Sequence, residues 1–434
     1  MKILHYSLGF PPERSGGLIR YTMDLMNEQI RQGEEVCYLY PGHINVLKNR
    51  TYIKADRKHS KANFTPYVLV NSLPLPLFGG IKNPNDFMRP VNAKLYLNFL
   101  GKIRPDVIHV HTLMGIHKEL FECAQSLGIR IVFTSHDYFG LAPEPTFYYQ
   151  GSNYDDNNTI EQWMKISQTA MPTWKLRLFQ ISFYPAVRRI AHKFKSQKNI
   201  ILDAKEPKYN NNKTNISDIK NDFVKLKKYY LSIFSLINYF HFNSHLALSV
   251  YQNNLVLKKN YSCISITNST VKYRSSMSQV PMKGRKLRIA YIGPYKSFKG
   301  FFDFLKLPKI TNLKIFEYHV YGSDDIITIP NTVINHGHFK KDDIDKVYRN
   351  IDVVIVPSRC KETFGFVTIE ALSHNKPVLV SSNVGAKDII DGEFIFKTIS
   401  DVPQQLEKVA SYILEPQKNM STHYEEIRQI YHKN

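Results

Sequence analysis

One short apolar segment constrains the fold more than any other part of the sequence. Residues 352–357, with the sequence DVVIVP, are rich in β-branched side chains and are typical of a buried parallel strand. A loop carrying Glu362 follows, then a turn at Gly365, then a helix predicted to begin near Val367. Strand, loop and helix in this order form the repeating unit of an α/β fold with a parallel sheet.

The same alternation of strand and helix patterns runs through most of the chain and predicts two sheets. We predict a first domain over residues 1–267 with a basic helical insertion at about 150–230, a second over 286–405, and C-terminal helices over 406–434 that cross back to the first. A linker is expected between 268 and 285. The predicted strands are 2–6, 35–40, 67–70, 107–111, 129–135, 239–243, 287–292, 315–320, 333–336, 353–356 and 378–381.

Two carboxylates flank the turn after the central strand of the second half. Glu362 lies on the loop and Glu370 about one turn into the helix, so they are not two points on one helical face. The backbone amides of Phe364, Gly365 and Phe366 would lie at the helix N-terminus, where free N–H groups and the helix dipole favour an anion. Two carboxylates around an anion site suit a nucleotide sugar, which has hydroxyls at both ends and a diphosphate between them.

The motif also indicates a family. Glu-x7-Glu after an apolar strand ending in Pro-Ser, followed by Glu-Ala-Leu and Lys-Pro-Val, resembles the family 4 retaining glycosyltransferases of the GT-B fold, strongly over 287–395 and weakly over 1–140. This resemblance implies an α/β architecture of two doubly wound Rossmann-like domains facing across a cleft. It also implies that Glu362 binds donor-sugar hydroxyls as a catalytic residue, that Glu370 binds the ribose, and that no metal or other cofactor is required.

Each half carries a glycine-rich element after its first strand. Gly16 and Gly17 open the first helix, and the resemblance places this loop beside the donor diphosphate. In the second half Lys299 precedes a glycine, as in the family, but Pro294 stands where the family usually has an arginine that grips the diphosphate. Lys296 is a partial substitute, although a lysine lacks the bidentate geometry of arginine. We therefore predict Gly16, Gly17, Lys296 and Lys299 as donor-binding residues.

Histidines end two strands of the first half. His109 and His111 alternate onto one face of a strand, but no third ligand for a metal is evident nearby, so no metal site is predicted. His136 and Asp137 come directly after another strand, at the end where doubly wound sheets bind ligands. The resemblance places His136 opposite the transferred sugar as a catalytic residue. His111 and Asp137 are predicted to bind the acceptor or line the cleft.

The net charge of +21 requires a partner or another explanation. Residues 174–230 hold fourteen Lys or Arg against four Asp or Glu, with aromatic side chains between them. Solvated basic helices and docking on an anionic membrane surface are both compatible with this composition. Nucleic acid is not a predicted partner, because no base-reading motif accompanies the charge.

Composition bears on the compartment. The four cysteines are scattered without metal spacing, which favours a reducing cytoplasmic setting. No signal peptide is evident at the N-terminus, and no apolar run approaches the length of a membrane span. The predicted location is cytoplasmic, with peripheral attachment to the inner face of the plasma membrane as an open alternative.

Together these features predict a hexosyltransferase-type enzyme that moves a sugar from a nucleotide sugar to a glycan or lipid-linked acceptor with retention of configuration. Bacterial capsule, exopolysaccharide or cell-wall synthesis is the expected setting. A glycosidase is disfavoured, because no second cleft acid faces Glu362. Two alternatives remain open, namely a catalytically silent GT-B protein acting as partner or scaffold, which Pro294 makes credible, and a nucleotide-sugar epimerase or phosphorylase on the same fold.

Overall fold

The computed structural model describes most of the chain and forms two lobes, each built on a parallel sheet. It describes residues 1–14, 16–48, 50–76, 79–181, 216–257, 260–271, 284–325, 327–340 and 343–432. The middle of the basic stretch, 182–215, and most of the predicted linker, 272–283, lie outside the described residues.

The N-lobe contains an eight-stranded sheet in the order β10-β9-β6-β5-β1-β2-β4-β3, parallel except for the edge strand β3. A small hairpin, β7-β8, stands apart from it. The strands are β1 Lys2–Tyr6, β2 Glu35–Pro41, β3 Tyr52–Ala55, β4 Thr65–Val70, β5 Val107–Val110, β6 Arg130–Thr134, β7 Tyr148–Tyr149, β8 Ser152–Asn153, β9 Tyr239–Phe242 and β10 Asn260–Cys263.

Helices cover both faces of this sheet, as parallel strands require. Ser244 begins one of them, because its side chain accepts a hydrogen bond from the Ala247 amide at 3.0 Å. The described helices of the lobe are α1 Gly17–Arg31, α2 Lys94–Ile103, α3 Lys118–Ser126, α4 Ile160–Thr169, α5 Thr173–Phe179, α6 Ile216–Leu236 and α7 His245–Asn254.

The C-lobe contains a six-stranded parallel sheet in the order β13-β12-β11-β14-β15-β16. Its strands are β11 Leu287–Ile292, β12 Phe316–Tyr321, β13 Val333–Asn335, β14 Val353–Val356, β15 Val378–Ser381 and β16 Ile395–Phe396. Its described helices are α8 Phe301–Phe304, α9 Leu307–Ile310, α10 Ile344–Arg349, α11 Phe366–Ser373 and α12 Val402–Glu407.

The last helix, α13 Met420–His432, returns to the N-lobe and packs on α1 and β6. Its Ile427 and Ile430 belong to one apolar core that runs from the C-lobe sheet to the near face of the N-lobe sheet. A second core fills the far face of the N-lobe sheet, around Phe133 and Trp163. The α13 helix therefore joins the two lobes through apolar packing.

The predicted α/β architecture with two doubly wound domains is confirmed. All eleven predicted strands are present, with ends that move by one or two residues. The small hairpin β7-β8 was missed, and so were three strands of the two main sheets, namely β3, β10 and β16. All three lie at or next to a sheet edge, and two of them carry polar residues, so they lack the continuous apolar run that marks an interior strand.

Candidate functional site

The site forms where the strand order of each sheet reverses. In the N-lobe this point lies between β1 and β5, and in the C-lobe between β11 and β14. Doubly wound sheets bind ligands beyond the carboxyl ends of the strands at such points. The two glycine-rich elements follow β1 and β11, His111 follows β5, and Glu362 follows β14, so the predicted residues gather at the two switch points.

In the C-lobe, Lys299 and Glu362 form an ion pair, with Lys299 Nζ 2.9 Å from Glu362 Oε2. Both side chains are mostly buried but keep some solvent access. Burial alone would lower the pKa of Lys299, but the Glu362 carboxylate raises it by more, so Lys299 stays charged. The structure thus brings two predicted donor-binding residues together with opposite charges facing each other.

Gly300 makes this pairing sterically feasible. It adopts φ +73°, and a Cβ at this position would collide with the carbonyl oxygen of Pro357 at the end of β14. Only glycine allows the loop after β11 to approach β14 so closely. The Lys-Gly pair in the sequence therefore has a steric cause, which is the placement of Lys299 beside Glu362.

The helix that follows Glu362 begins at the predicted place. Gly365 is the N-cap of α11 with φ +101°, and Phe366 is the first helical residue. Phe364 is buried, and its carbonyl accepts from the Ala386 amide, which fixes the turn. The amides of Phe364, Gly365 and Phe366 thus surround the N-terminus of α11, one residue beyond the loop that carries Glu362.

The N-lobe meets this helix tip directly. A Cβ on Gly17 would overlap the ring of Phe366, so the glycine pair lets α1 approach α11. Thr363 Oγ1 donates to the His136 carbonyl at 3.0 Å, and the Ser244 hydroxyl donates to the Thr363 carbonyl at 2.6 Å. The loop between Glu362 and α11 is therefore clamped against the strand ends of the N-lobe.

Glu370, the predicted ribose ligand, also contacts the N-lobe. Its Oε1 is ion-paired with the guanidinium of Arg20 from α1, and Arg20 also donates to Thr270 Oγ1 at 3.0 Å. Glu370 is buried on the interior of α11. Its carboxylate thus lies at the seam between the lobes and is already engaged by an N-lobe cation.

The predicted histidine His136 lies at the seam, half-buried, with its ring tilted by 54° against that of Tyr21 and the ring centroids 4.7 Å apart. Its Nε2 is 3.3 Å from His111 Nδ1. Burial, with a contribution from His423, lowers the pKa of His136 to about 3. Burial and the neighbouring histidines hold the pKa of His111 well below its ordinary value. Both rings are therefore neutral at physiological pH.

Asp137 is buried in the turn after His136. Its two oxygens accept from the Thr112 hydroxyl at 2.8 Å and from the Phe139 amide at 2.9 Å. Burial raises its pKa to about 7 in spite of these bonds. The structure thus ties Asp137 to its own turn, and its role toward an acceptor stays a prediction.

The expectation that His109 and His111 lack a third histidine was wrong. His5 of β1 lies beside them, and one nitrogen of each ring falls within 4.8 Å of the others. However, both ring nitrogens of all three histidines already have hydrogen-bond partners within the protein. The bonds are His5 to His111 and Gln29, His109 to Tyr431 and Thr134, and His111 to His5 and His136.

Lys296 takes a different direction from the other donor-binding candidates. It is exposed, and its Nζ is 3.1 Å from Asp325 Oδ2 on the loop after β12. Pro294 is exposed in the same loop. The structure therefore does not pair Lys296 with Glu362, and it leaves Lys299 as the cation next to that carboxylate.

Sequence reasoning missed three residues at the seam, namely His5, Arg20 and Thr363. A signal for His5 was present, because β1 and β5 carry histidines at equivalent positions, and the register pairs His5 with His109. Arg20 follows Gly17 by one turn of α1, which points it in the same direction as the glycine pair. Thr363 had no signal beyond its position next to Glu362.

Comparisons with known proteins identify the family of the chain. Residues 286–415 match the family described as "Glycosyl transferases group 1", and residues 15–173 match "Glycosyltransferase Family 4". The two segments together cover about two thirds of the chain and include every predicted site residue. The chain belongs to the family 4 glycosyltransferases.

Relatives of this family 4 protein include two uncharacterized proteins. One, described as a 42.6 kDa protein in the cps region of Klebsiella pneumoniae, is 22% identical over 318 residues, which are 71% of this chain and 67% of the relative. The other is a glycosyltransferase of Methanocaldococcus jannaschii, 30% identical over 116 residues, which are 24% of this chain and 30% of that protein.

Solved structures place this family 4 protein in the GT-B fold. A trehalose-phosphate synthase of Burkholderia xenovorans matches with TM-score 0.56 and 11% identity over all of both chains. A sucrose-phosphate synthase of Thermosynechococcus elongatus matches with TM-score 0.54 and 12% identity over 99% of this chain and 98% of that one. HepE of Anabaena, solved with UDP and glucose, has TM-score 0.54 and 13% identity over 99% of each chain. Among the described helices, none is both long and apolar enough to span a bilayer.

Proposed function

We propose that this protein is a retaining glycosyltransferase that transfers a hexosyl group from a nucleotide sugar to a glycan or lipid-linked acceptor, without a metal or other cofactor. The observation that carries the proposal is the ion pair of Lys299 and Glu362, which stands one residue from the turn that leads into α11. A donor inserted there would give each partner a new ligand. Its diphosphate would take Lys299, and the hydroxyls of its sugar would take Glu362.

Charge on the departing diphosphate is the main quantity that such an enzyme must stabilise. Lys299 supplies a cation, and the amides at the start of α11 supply hydrogen-bond donors and the positive end of the helix dipole. Preorganised donors of this kind act most strongly where water is excluded, and the seam between the lobes is such a place.

The transfer itself follows from a retaining mechanism. The bond from the sugar C1 to the diphosphate oxygen breaks, and a bond from C1 to the acceptor hydroxyl oxygen forms on the same face. The acceptor proton passes to the departing phosphate oxygen, so charges and atoms balance without a covalent enzyme intermediate. Glu362 and His136 hold hydroxyls of the sugar in this scheme, and Gly16 and Gly17 give the donor access from the N-lobe side.

Surface chemistry supports a lipid-linked acceptor and a peripheral position on an anionic membrane surface. Trp174 and Leu178 of α5 are exposed, and Lys175 Nζ lies 5.3 Å from the centroid of the Trp174 ring. The neighbouring loop exposes Val46 and Leu47. Aromatic and apolar side chains beside basic residues are typical of segments that dock on anionic bilayers. Flotation with phosphatidylserine vesicles but not with neutral vesicles is expected, and equal recovery with both would argue against this position.

A polysaccharide setting is consistent with the relative in the cps region of Klebsiella pneumoniae. HepE of Anabaena, which has the same fold, was solved in complex with UDP and glucose. UDP-hexoses are accordingly the first donors to test. We place the enzyme in the assembly of a bacterial surface or cell-wall glycan.

The test is turnover of a panel of nucleotide sugars, with release of the nucleoside diphosphate as the readout. Lys299→Met is expected to lower turnover about 100-fold, because one preorganised charge toward the leaving group is lost. Lys306→Met is the matched control, since Lys306 also forms an ion pair, with Asp303 at 2.7 Å, but lies outside the site. It should turn over at the wild-type rate.

Three results would contradict the proposal. Donor binding in a thermal-shift assay without any turnover would identify a catalytically silent protein. Equal turnover by Lys299→Met and Lys306→Met would remove Lys299 from the site. Product with inverted configuration at C1, measured by NMR of the glycoside, would exclude a retaining transfer.

A further inference from the structure

Several buried polar side chains on one face of the N-lobe sheet join into a single hydrogen-bonded chain. His5, His109, Thr134 and His241 come from the adjacent strands β1, β5, β6 and β9, and all four are fully buried. Helices α1 and α13 close the chain with Gln29 and Tyr431. Buried polar groups are normally satisfied, so the question is which atom donates at each link.

The direction of the chain is set at its inner end. His241 Nε2 is 2.8 Å from the Ile264 carbonyl oxygen, which can only accept, so Nε2 carries the hydrogen. The ring is neutral, since burial holds the pKa of His241 well below its ordinary value. Its bare Nδ1 therefore accepts from the Thr134 hydroxyl at 2.9 Å. Thr134 has one hydrogen, so its oxygen must accept from His109 Nε2 at 2.7 Å.

The same logic continues through the two helices. His109 Nδ1 is now bare and accepts from the Tyr431 hydroxyl at 2.7 Å. The Tyr431 oxygen then accepts from Gln29 Nε2 at 3.0 Å, which fixes the orientation of the amide. Gln29 Oε1 in turn accepts from His5 Nε2 at 2.7 Å. Each step leaves one choice, because each group has a single hydrogen to give along the chain.

The outer end of the chain is the histidine at the seam. His5 Nδ1 accepts from His111 Nε2 at 2.9 Å, and His111 Nδ1 accepts from His136 Nε2 at 3.3 Å. His136 is thus left with its hydrogen on Nε2 and a bare Nδ1. No described residue is hydrogen-bonded to that nitrogen.

We propose that this one-way chain fixes the tautomer of His136, so that Nδ1 accepts a hydrogen bond from a hydroxyl of the bound sugar or acceptor. Thr134, Gln29 and Tyr431 are positioning residues in this scheme, since they act on the substrate only through His136. The partner of a histidine nitrogen commonly sets what the other nitrogen does. The identity of the hydroxyl rests on the proposed function, whereas the tautomer does not.

The chain also decides against a cation at the three clustered histidines. Every bare nitrogen of His5, His109 and His111 already accepts a hydrogen bond, and every other nitrogen carries a hydrogen. A metal ion would have to break several of these bonds at once. The three histidines are therefore links in a hydrogen-bonded chain and not a set of metal ligands.

The first experiment reads the tautomers in the resting full-length protein. Long-range proton–nitrogen NMR spectra of 15N-histidine-labelled protein distinguish a bare Nδ1 from a protonated one, and His136→Gln identifies the His136 signal. The wild-type signal should show a single Nε2–H form. A protonated Nδ1 on His136, or two exchanging forms in the wild type, would overturn the proposal.

Variants test whether the chain, and not the intrinsic preference of imidazole, holds the tautomer. Tyr431→Phe removes one hydroxyl far along the chain, and His136 should then exchange between two forms while His241 keeps Nε2–H. Thr134→Val should have the same effect on His136, and Thr134→Ser, which keeps the hydroxyl, should restore the wild-type signal. An unchanged His136 signal in both Tyr431→Phe and Thr134→Val would overturn the proposal.

A kinetic arm connects the tautomer to transfer. Tyr431→Phe is expected to lower kcat/KM in proportion to the fraction of His136 that has lost the Nε2–H form, about twofold for an equal mixture, and Thr134→Ser should stay near wild type. Wild-type kcat/KM in a Tyr431→Phe protein whose His136 tautomer has become mixed would overturn the substrate contact. Because the NMR arm needs no turnover, a protein without transferase activity would still reveal whether the chain exists.

Discussion

The two lobes share one architecture but present opposite surfaces to the cleft. At its strand ends the N-lobe wall carries neutral groups, with His111 and His136 held uncharged by burial, and its charged group at the seam, Arg20 of α1, is already paired with Glu370. The C-lobe wall is charged, with Lys299 and Glu362 in an ion pair. The equivalent strand ends of the two sheets therefore carry neutral histidines in the N-lobe and an ion pair in the C-lobe.

The difference follows from what each sheet places around its site. Among the described residues, no carboxylate is hydrogen-bonded to His5, His109, His111, His136 or His241, so burial disfavours their charged forms. In the C-lobe each charge faces its opposite, and mutual attraction outweighs burial. A neutral wall suits hydroxyl groups, and a charged wall suits a diphosphate. A nucleotide sugar carries both kinds of group.

Acidification should break this comparison with the largest effect. Six histidines around the N-lobe site, His5, His109, His111, His136, His241 and His423, have lowered pKa values in the folded state, and the buried His117 outside this group acts in the same direction. Below pH 6.5 these histidines bind protons in the unfolded chain but remain unprotonated in the folded state. Between pH 7 and 5.5 each histidine should reduce the free energy of unfolding by about 1.3 kcal/mol, and the six by about 8 kcal/mol.

Hydrogen exchange at pH 7 and pH 5.5 measures this by lobe. Peptides from β5 and β6 should lose protection at pH 5.5, and peptides from β14 and β15 should lose less. Asp352 of the C-lobe, whose pKa is held low mainly by its Arg285 and Arg288 bonds against the effect of burial, loses its contribution only below about pH 4. Earlier loss in the C-lobe than in the N-lobe would contradict the comparison, although the C-lobe also contains the buried His319 on β12 and the exposed His336 beyond β13, both with lowered pKa values.

The second prediction concerns Asp137, a buried acid beside His136. Its ionisation changes the free energy of unfolding with pH in the opposite direction to the histidines. Asp137 has a folded pKa of about 7, so between pH 4 and 7 the unfolded state ionises first and rising pH lowers stability. Asp137→Asn removes this contribution and can keep a bond to Thr112. Its stability relative to wild type should therefore rise by about 2–3 kcal/mol from pH 5 to pH 8.

Denaturant unfolding of both proteins at the two pH values provides the measurement. The difference between variant and wild type cancels the histidine contributions, because both chains contain the same histidines. A stability difference that does not change with pH would show that Asp137 ionises normally in the folded state.

The residues of both walls could be named from the sequence, but the contacts that hold the neutral wall could not. Lys299 directly precedes Gly300, and Glu362 lies three residues before Gly365, so local spacing places both in the loops that follow strands. The strands themselves were predictable because interior parallel strands are continuous apolar runs. The edge strands β3 and β10 are short and mixed, and tertiary pairing, not local pattern, decides them.

The neutral wall depends on contacts between distant parts of the chain. His109 bonds to Tyr431, and His5 to His111, across 322 and 106 positions of the sequence. Arg20 reaches Glu370 across 350 positions. Nothing in the local spacing of any of these residues specifies its partner. They become neighbours only when the sheet order and the return of α13 are known.

The third prediction adds charge to the C-lobe wall and has the smallest expected effect. Pro294 is exposed at the position where the family usually has an arginine, and the Tyr291 hydroxyl and the Lys296 amide donate to its carbonyl, which any residue retains. Pro294→Arg should therefore keep the loop and add a charge-assisted contact to the donor diphosphate. Such a contact is worth about 1.5 kcal/mol, or roughly a tenfold lower Kd for the nucleotide sugar.

Pro294→Ala is the control, since it removes the ring without adding a charge. If the charged wall binds the diphosphate, the arginine variant should bind more tightly than both the alanine variant and the wild type, and added salt should reduce the advantage. Equal tightening by both variants would trace the effect to the backbone of the loop. No tightening by the arginine variant would place the diphosphate away from the loop after β11. It would then contradict the assignment of the diphosphate to the charged wall of the C-lobe.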